Sequence, residues 1–303
     1  MTRRGLMRKY SALLAASCIG CAPKRSEMQA DIDEMGKDLA ILLFGLQLSD
    51  VHRHYLGRLN LPELVATVAA VAPDARCIAW VRGRYGPGPL EPGSGIGIMD
   101  GIRASRRIPY SGGMPTDLAV SSGARHIAVA TAPAGNGERK LVLINGETGL
   151  LEYEFTDLVR PIPGEIERLK ITPGGNRLAI GSRESFIVVD VPSGRKLLTG
   201  DGRFPVLTPD GGTVAFVDHR HLVLKDLATG TERYPMKGWS TQGVGSWSPD
   251  GRFLLAGAWV SLSLQMRLVA VDTRNSGYIE LTKLGEGDFG GSCAWIARQL
   301  IPA

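Results

Sequence analysis

Two turn motifs that recur along the body of the chain constrain its fold more than any other feature. The first motif is a Pro-Asp-Gly-like turn followed by an apolar strand, and its copies start 36 to 51 residues apart. These copies are Ala72–Ala79, Ser121–Ala128, Thr172–Ala179, Thr208–Ala215 and Ser248–Ala256. The second motif resembles Asp-x-x-Thr/Ser-Gly. Its copies are Asn145–Gly149, Asp190–Gly194, Asp226–Gly230 and Asp272–Gly277, and in the first unit only its Asp is present, as Asp100. A repeat of this length is typical of an array in which each unit is one small supersecondary structure.

Both motifs reverse the chain between short apolar segments. Proline presets φ to about −65°, the Asp side chain holds the turn and glycine takes the positive φ. Segments such as Phe186–Val189 and Arg267–Val271 are short and rich in β-branched residues, which favours strands over helices. Each unit is therefore predicted to be a four-stranded antiparallel sheet. Such units in series predict an all-β chain folded as a β-propeller, with blades packed around a central channel.

The order Ser/Thr-Pro-Asp-Gly, apolar strand, Asp-x-x-Thr-Gly resembles the repeat of TolB-like and WD-repeat-like β-propellers. The resemblance covers about 62–303, which we predict to be the propeller domain. It implies a rigid ring that displays its loops to a protein or peptide partner, although related chains include the propeller domains of some peptidases. Ala72-Pro-Asp-Ala and Ser121-Ser-Gly-Ala lack the full turn signature, so the first two blades depart from the family pattern.

The ring has to close near the C-terminus. Gly291–Ile301 resembles Gly243–Leu254 with a deletion at the turn, which aligns Trp295 with Trp247. A sixth blade would then take two strands from the C-terminus, and Leu39–Leu48 could supply another. Pairing the two termini in one blade would remove open strand edges. We predict six blades with a composite closing blade, and five blades are the alternative.

Residues 21–61 are predicted to be a spacer that donates a strand to this closing blade. Apolar residues recur there with helical spacing at Met28, Ile32, Met35, Leu39, Leu42 and Leu46. Leu39–Leu48, however, is apolar nearly all round and fits a buried strand as well. Both interpretations stay open from the sequence.

The net charge of +5 is concentrated at the N-terminus. Six basic residues precede the first acidic residue, Glu27, and they are Arg3, Arg4, Arg8, Lys9, Lys24 and Arg25. The rest of the chain has 29 basic and 30 acidic residues. A basic tip on a neutral body is typical of a targeting signal rather than of a nucleic-acid-binding face, so we expect no nucleic-acid partner.

Residues 1–20 have the form of a secretory signal. An apolar stretch of about 11 residues, Tyr10–Gly20, follows the basic tip and is too short to span a membrane. Gly20-Cys21-Ala22-Pro23 resembles the end of a bacterial lipoprotein signal, which implies lipidation of Cys21, with Cys18 as the alternative. The resemblance implies a chain anchored on the periplasmic side of a bacterial envelope. The absence of Asp after Cys21 implies the outer membrane. An ordinary signal peptide or a buried helix stays open.

Two features of the body are candidate structural or binding sites. Cys77 and Cys293 fall in the first and last blades, which adjoin in a closed ring, so a disulfide would clamp the closure in an oxidising compartment. The alternative is two small buried side chains. The insertion 82–95 lengthens a hairpin of the first blade, and its Arg82, Arg84 and Tyr85 are predicted to bind a partner. A shorter loop of the same kind covers 134–140.

Candidate chemistry is weaker. Asp218–His221 lies where a hairpin should turn, which explains it without a metal. The chain has no His-Glu-x-x-His, no paired Cys-x-x-Cys and no Gly-x-Ser-x-Gly. We therefore predict no metal, cofactor or catalytic residue, and a non-enzymatic envelope scaffold for protein interactions. The alternatives are a lactonase-like hydrolase and a sensor that binds a small ligand in the central channel.

Overall fold

The structure is a computed structural model, and it describes residues 22–42, 47–49, 55–58, 66–82, 95–100, 104–110, 112–113, 115–132, 139–260, 266–284 and 293–297. Its helices are α1 (Ala22–Asp38) and α2 (Thr156–Val159), and a 3₁₀ turn covers Ser122–Ala124. No helix within these ranges is long and apolar enough to cross a membrane.

The described strands follow in chain order. They are β1 (Leu39–Leu42), β2 (Gln47–Ser49), β3 (Tyr55–Arg58), β4 (Ala66–Val71), β5 (Cys77–Arg82), β6 (Gly95–Asp100), β7 (Ala104–Pro109), β8 (Pro115–Val120), β9 (His126–Thr131), β10 (Leu141–Asn145), β11 (Leu151–Glu154), β12 (Arg168–Ile171), β13 (Arg177–Gly181), β14 (Ser185–Asp190), β15 (Arg195–Asp201), β16 (Arg203–Leu207), β17 (Thr213–Asp218), β18 (His221–Asp226), β19 (Glu232–Arg233), β20 (Trp239–Trp247), β21 (Phe253–Val260), β22 (Met266–Asp272), β23 (Gly277–Leu284) and β24 (Ala294–Ala297).

These strands form six four-stranded antiparallel sheets. Blades 1 to 5 are contiguous in sequence and consist of β4–β7, β8–β11, β12–β15, β16–β19 and β20–β23. The closing blade has the order β24-β1-β2-β3. The first strand of each blade contacts the first strand of the next blade, and β24 contacts β4, so the inner strands complete a ring. The predicted six-bladed propeller with a composite closing blade is confirmed.

The turn motif works in blade 4 as the sequence predicts. Thr208 Oγ1 accepts the backbone N–H of Thr213 at 3.0 Å, and Asp210 Oδ1 accepts that of Gly212 at 2.9 Å. Gly211 has a φ of 75°, in the left-handed region that glycine enters without strain. The two blades without the full signature make the same reversal, with Ala75 and Ala124 at φ values of 61° and 51°. Each costs roughly 1–2 kcal/mol of backbone strain, which the surrounding sheets overcome.

Neighbouring blades are latched by side chains that reach a turn carbonyl. Arg106 of blade 1 donates to Gly146 O of blade 2 at 2.7 Å. Arg177 of blade 3 donates to Gly211 O of blade 4, and Arg233 of blade 4 donates to Thr273 O of blade 5 at 3.1 Å. These bonds fix one blade relative to the next and leave the turn backbone satisfied.

The closing blade takes more of the N-terminus than the sequence predicts. We expected two strands from the C-terminus and one from Leu39–Leu48; the described residues instead place β24 against three N-terminal strands. β1 pairs with β24 from Leu39↔Ala297 to Leu42↔Ala294. Within the predicted segment 39–48, the described residues belong to β1 and to the start of β2, so the segment supplies parts of two strands rather than one.

The helix and strand interpretations of the N-terminal segment each hold for a different part. Helix α1 ends at Asp38 and β1 begins at Leu39. Met28 and Ile32 are buried in the same hydrophobic cluster as residues of blade 5. Arg252 of that blade forms ion pairs with Asp31 of α1 at 2.5 Å and with the fully buried Asp272 at 3.0 Å. The predicted spacer is thus partly built into the propeller wall.

Candidate binding channel

The inner strands of blades 1 to 5 surround a central cavity. About 420 Å³ of free space lies between them, part of it open to solvent. Its walls are mostly apolar, and representative lining residues are Ala70, Leu118, Val206, Leu207, Ser246 and Trp247. Only about 30 Å³ of this free space is enclosed space that a water-sized sphere can occupy, so the cavity is narrow and mostly continuous with solvent.

Charged side chains enter this region from blades 2 and 3. Asp117 lies on β8, and Arg168 and Lys170 lie on β12. The backbone N–H of Leu169 donates to Asp117 Oδ2 at 2.6 Å, which joins the two blades. Arg168 also lies over the ring of Phe204, 5.4 Å from its centroid. Lys170 lines the cavity and is half-buried, and Asp117 is half-buried on the neighbouring strand.

The enclosing walls change the protonation of these groups. Burial raises the pKa of Asp117, against the opposing effects of Arg168, the Leu169 N–H and Lys170. Burial and the like charge of Arg168 lower the pKa of Lys170 to about 8, although Asp117 counteracts this shift. Both charged forms therefore lose solvation in the channel, which is the usual effect of a low-dielectric wall.

The sequence analysis missed these residues, although the repeat contained the signal. Two residues before each turn motif the chain has Ala70, Ala119, Lys170, Val206 and Ser246. Four residues before it, the chain has Val68, Asp117, Arg168, Phe204 and Val244. Aligning the inner strands at the turn would have identified Lys170 as the one charged member of its ring position among these five blades.

The two cysteines of the body are free thiols, and each is buried. Cys77 packs in a cluster between blades 1 and 2, whereas Cys293 packs in the cluster that includes Leu255 and Trp295. The disulfide that the sequence leaves open is therefore not formed in this structure, where the two cysteines are small buried side chains. Burial raises the pKa of each thiol to about 12, so neither is a thiolate at neutral pH.

The predicted partner and lipid sites lie mostly beyond the described residues. Cys18, Cys21, Arg84 and Tyr85 are outside them, and Arg82 is described only as the last backbone position of β5. Arg139 is described and donates to the carbonyl oxygens of Ile162, at 2.9 Å, and Gly164. It therefore holds the connection after α2.

Two histidines of the described residues, His126 and His219, lie in a side-chain hydrogen-bond network and in a turn. His219 and Arg220 form the turn between β17 and β18, as the sequence predicts, with φ values of 42° and 69°. His126 Nδ1 lies 2.7 Å from Glu152 Oε2, and Asn145 Nδ2 donates to the other oxygen of that carboxylate at 3.0 Å. Within the described ranges no three His, Cys, Asp or Glu side chains cluster as a metal site would require.

An apolar strip on the outer strand of blade 2 is the second feature that the sequence analysis missed. Leu150, Leu151 and Tyr153 are exposed by 68%, 58% and 41%. The positions of Leu150 and Leu151 directly follow the second turn motif, where blade 3 has Arg195-Lys196 and blade 4 has Thr231-Glu232. The same repeat alignment would have found this replacement of polar residues by leucine.

Comparison with solved structures gives the same architecture. The structure of TolB from Acinetobacter baumannii superposes with a TM-score of 0.58 at 16% identity, covering 85% of this chain and 66% of that one. A putative TolB from Agrobacterium tumefaciens gives a TM-score of 0.54 at 14% identity and covers 86% and 96% of the two chains. A chain of the nidogen/laminin complex gives 0.54 at 12% identity, with 82% and 92% covered.

These neighbours are TolB-like propellers and a propeller-like chain from a protein complex, and at such low identity they establish the fold alone. This chain spans 66% of the length of the first TolB structure. No protein-family model and no curated protein sequence matches the chain.

Proposed function

We propose that this chain is an exported propeller, anchored to a bacterial outer membrane by a lipid on Cys21, that binds a protein partner through its outer rim and performs no chemistry itself. The observation that carries the proposal is the apolar strip formed by Leu150, Leu151 and Tyr153. Large apolar side chains that cluster on the surface of a folded chain are typical of protein contact sites.

The geometry of the strip suits a partner chain. β11 pairs only with β10 among the described strands, so its outer edge has unpaired backbone groups beside the exposed side chains. Tyr153 stacks on Phe155, with ring centroids 5.9 Å apart and an angle of 16° between the rings. Phe155 is buried, which holds the tyrosine in place. A preorganised aromatic ring costs little entropy when a partner binds.

The partner class has two further supports. One similar structure belongs to the nidogen/laminin complex, in which a chain of this architecture is part of a protein assembly. The resemblance of the N-terminus to a lipoprotein signal supports an envelope location. Residues 82–95, with Arg82, Arg84 and Tyr85, are proposed as a second contact on the neighbouring blade 1.

Site-specific photocrosslinking in bacteria that express the full chain tests the rim. We expect a crosslinkable amino acid at Leu151 to capture one specific protein. The same amino acid at Thr199, an exposed position on the outer strand of blade 3, should capture nothing comparable. Equal labelling from both positions, or none from Leu151 in a folded and abundant chain, would refute a rim site on blade 2.

Acyl labelling tests the anchor. Helix α1 begins at Ala22, directly after Cys21, and its next turns pack on blade 5. We expect Cys21→Ala to abolish labelling and to release the chain from membranes, whereas Cys18→Ala should change neither. Loss of labelling in Cys18→Ala alone would move the anchor to Cys18, and labelling that survives both changes would contradict lipidation.

A further inference from the structure

We propose that the central channel is a binding site for a small carboxylate, with the carboxylate group at the ammonium of Lys170 and the apolar part of the ligand against Leu118, Val206 and Trp247. This site is separate from the rim and does not depend on the protein partner proposed above.

The charge of the inner wall is the first argument. The six described inner strands carry three basic residues, Arg168, Lys170 and Arg203, and one acidic residue, Asp117. The wall is therefore electropositive, and a narrow cavity with low-dielectric walls focuses such a field. An anion fits this charge, whereas a cation would be repelled.

The environment of the Lys170 ammonium is the second argument. It makes no hydrogen bond or ion pair with the described residues, while Asp117 is engaged by the Leu169 N–H at 2.6 Å. At the position that Lys170 occupies in blade 3, blades 1, 2 and 4 have the apolar residues Ala70, Ala119 and Val206, so the blade fold itself does not require a lysine. A lysine head group without a partner in an apolar wall is costly unless something else satisfies it.

The cavity determines which anion fits best. Of the basic side chains on the described inner strands, only Lys170 lines the cavity itself, together with the hydroxyl of Ser246 and otherwise apolar side chains. Phosphate groups are commonly held by several N–H donors at once, which these lining side chains do not offer. A monoanion with an apolar body matches both parts of the wall. The enclosed space is about 30 Å³ and opens to solvent, so the best fit is a short carboxylate whose apolar end points along the channel.

The pH dependence of binding follows from the groups that face Lys170. These are Asp117 from β8, Arg168 from its own strand and Cys293 next to β24; the lining residues of β16 and β20 are uncharged. With a pKa of about 8 in the free protein, Lys170 is protonated below that pH. A bound carboxylate favours the protonated form of Lys170, so affinity should be constant between about pH 6 and 7 and fall up to about tenfold per unit above 8. Below about pH 5 affinity falls again, because the ligand carboxylate is itself protonated.

Calorimetry and ligand-observed NMR on the full chain test the proposal. The probes are straight-chain monocarboxylates of two to four carbons, with the matching primary amides, amines and inorganic phosphate as controls. We expect at least one carboxylate to bind, its amide to bind at least tenfold more weakly, and affinity to decline above pH 8. Lys170→Met, which keeps the length of the side chain, should weaken binding at least tenfold.

Lys196→Met is the matched control, because Lys196 is exposed on the outer strand of the same blade. It should bind the carboxylate like the unmodified chain. Tighter binding of phosphate or amines, no carboxylate binding, or binding that Lys170→Met leaves intact would overturn the proposal. If Lys170→Met does not fold, the pH profile of the unmodified chain decides: affinity that does not change across pH 8 refutes the role of Lys170. A specific crosslink at Leu151 without carboxylate binding would support the rim function and overturn the channel site. Carboxylate binding without a crosslink would support the channel site and overturn the rim function.

Discussion

Blade 5 and the closing blade begin with matching inner strands that are held in different ways. In blade 5, the indole N–H of Trp247 donates to the carbonyl of Val206 in blade 4 at 3.3 Å. In the closing blade, Trp295 is equally buried, but its indole N–H has no acceptor among the described residues. Its backbone N–H donates instead to Ser246 Oγ at 3.0 Å.

The difference shows how a blade formed by consecutive strands is held more firmly than one formed by the two ends of the chain. Blade 5 is tied to blade 4 by sequence and by a buried hydrogen bond, and its four strands follow one another directly. The closing blade is held by apolar packing and by the pairing of β24 with β1. Its strands are 3 to 4 residues long, whereas those of blade 5 are 7 to 9 residues long, so fewer backbone pairs hold the closing blade and we expect the ring to be weakest there.

Replacing each tryptophan by alanine should give the largest effects. Trp295→Ala and Trp247→Ala each remove a buried indole, and each should lower the free energy of unfolding by about 3–5 kcal/mol in urea titrations. Only Trp295→Ala should also remove hydrogen-exchange protection from β1 before blade 3 opens. If β1 and β13 lose protection together in both variants, the closing blade is no weaker than the others.

A methyl group at the contact between the two blades should have an intermediate effect. A Cβ on Gly245 would lie 2.3 Å from Cys293 Sγ and 2.6 Å from the Cys293 carbonyl oxygen. Because backbone atoms are involved, Gly245→Ala should destabilise the fold by about 1–3 kcal/mol.

The control for this change is Gly174→Ala in a turn of blade 3, where the nearest atom would be 3.9 Å away. Its melting temperature should match that of the unmodified chain. Equal melting temperatures for Gly245→Ala and Gly174→Ala would mean that β24 does not pack on β20 as closely as described.

Replacing Trp247 or Trp295 by phenylalanine should have the smallest effect on stability and compares the two indole N–H groups directly. Trp247→Phe breaks the hydrogen bond to Val206 and leaves a buried carbonyl with one partner fewer. Trp295→Phe removes an N–H that has no acceptor in the part of the chain that the structure describes. We expect Trp247→Phe to be the more destabilising of the two by about 1 kcal/mol in paired urea titrations. The reverse order would indicate that Trp295 donates to a group outside the described residues.

Most of the architecture could be predicted from the sequence because turn chemistry is local. Glycine at the left-handed position and Asp210 beside it define a reversal within four residues, and the spacing of such turns defines a blade. The number of N-terminal strands in the closing blade could not be predicted in this way. It depends on pairing between Leu39 and Ala297, which no local pattern reports.

The candidate sites were harder to predict because each consists of residues that are ordinary in their own segment. Lys170 lies in an apolar strand, and Leu150 and Leu151 follow a turn, so none of them forms a motif. They stand out only when the blades are superposed, because other blades have residues of a different type at the same positions. Cys77 and Cys293 show the reverse case, in which sequence position suggests a pairing that the structure does not contain. Two residues in adjoining blades need not lie within bonding distance of each other.

The composite closing blade also sets an order of events during folding. β1 and β24 are about 250 residues apart in sequence, so their pairing closes a very long loop and comes late. In a chain that emerges from a translocation channel with its N-terminus first, β1 to β3 wait with open edges until the final residues arrive. During that interval the N-terminal strands can pair with the C-terminal strand of another copy, so a delay before β24 arrives would favour exchanged dimers over closed monomers.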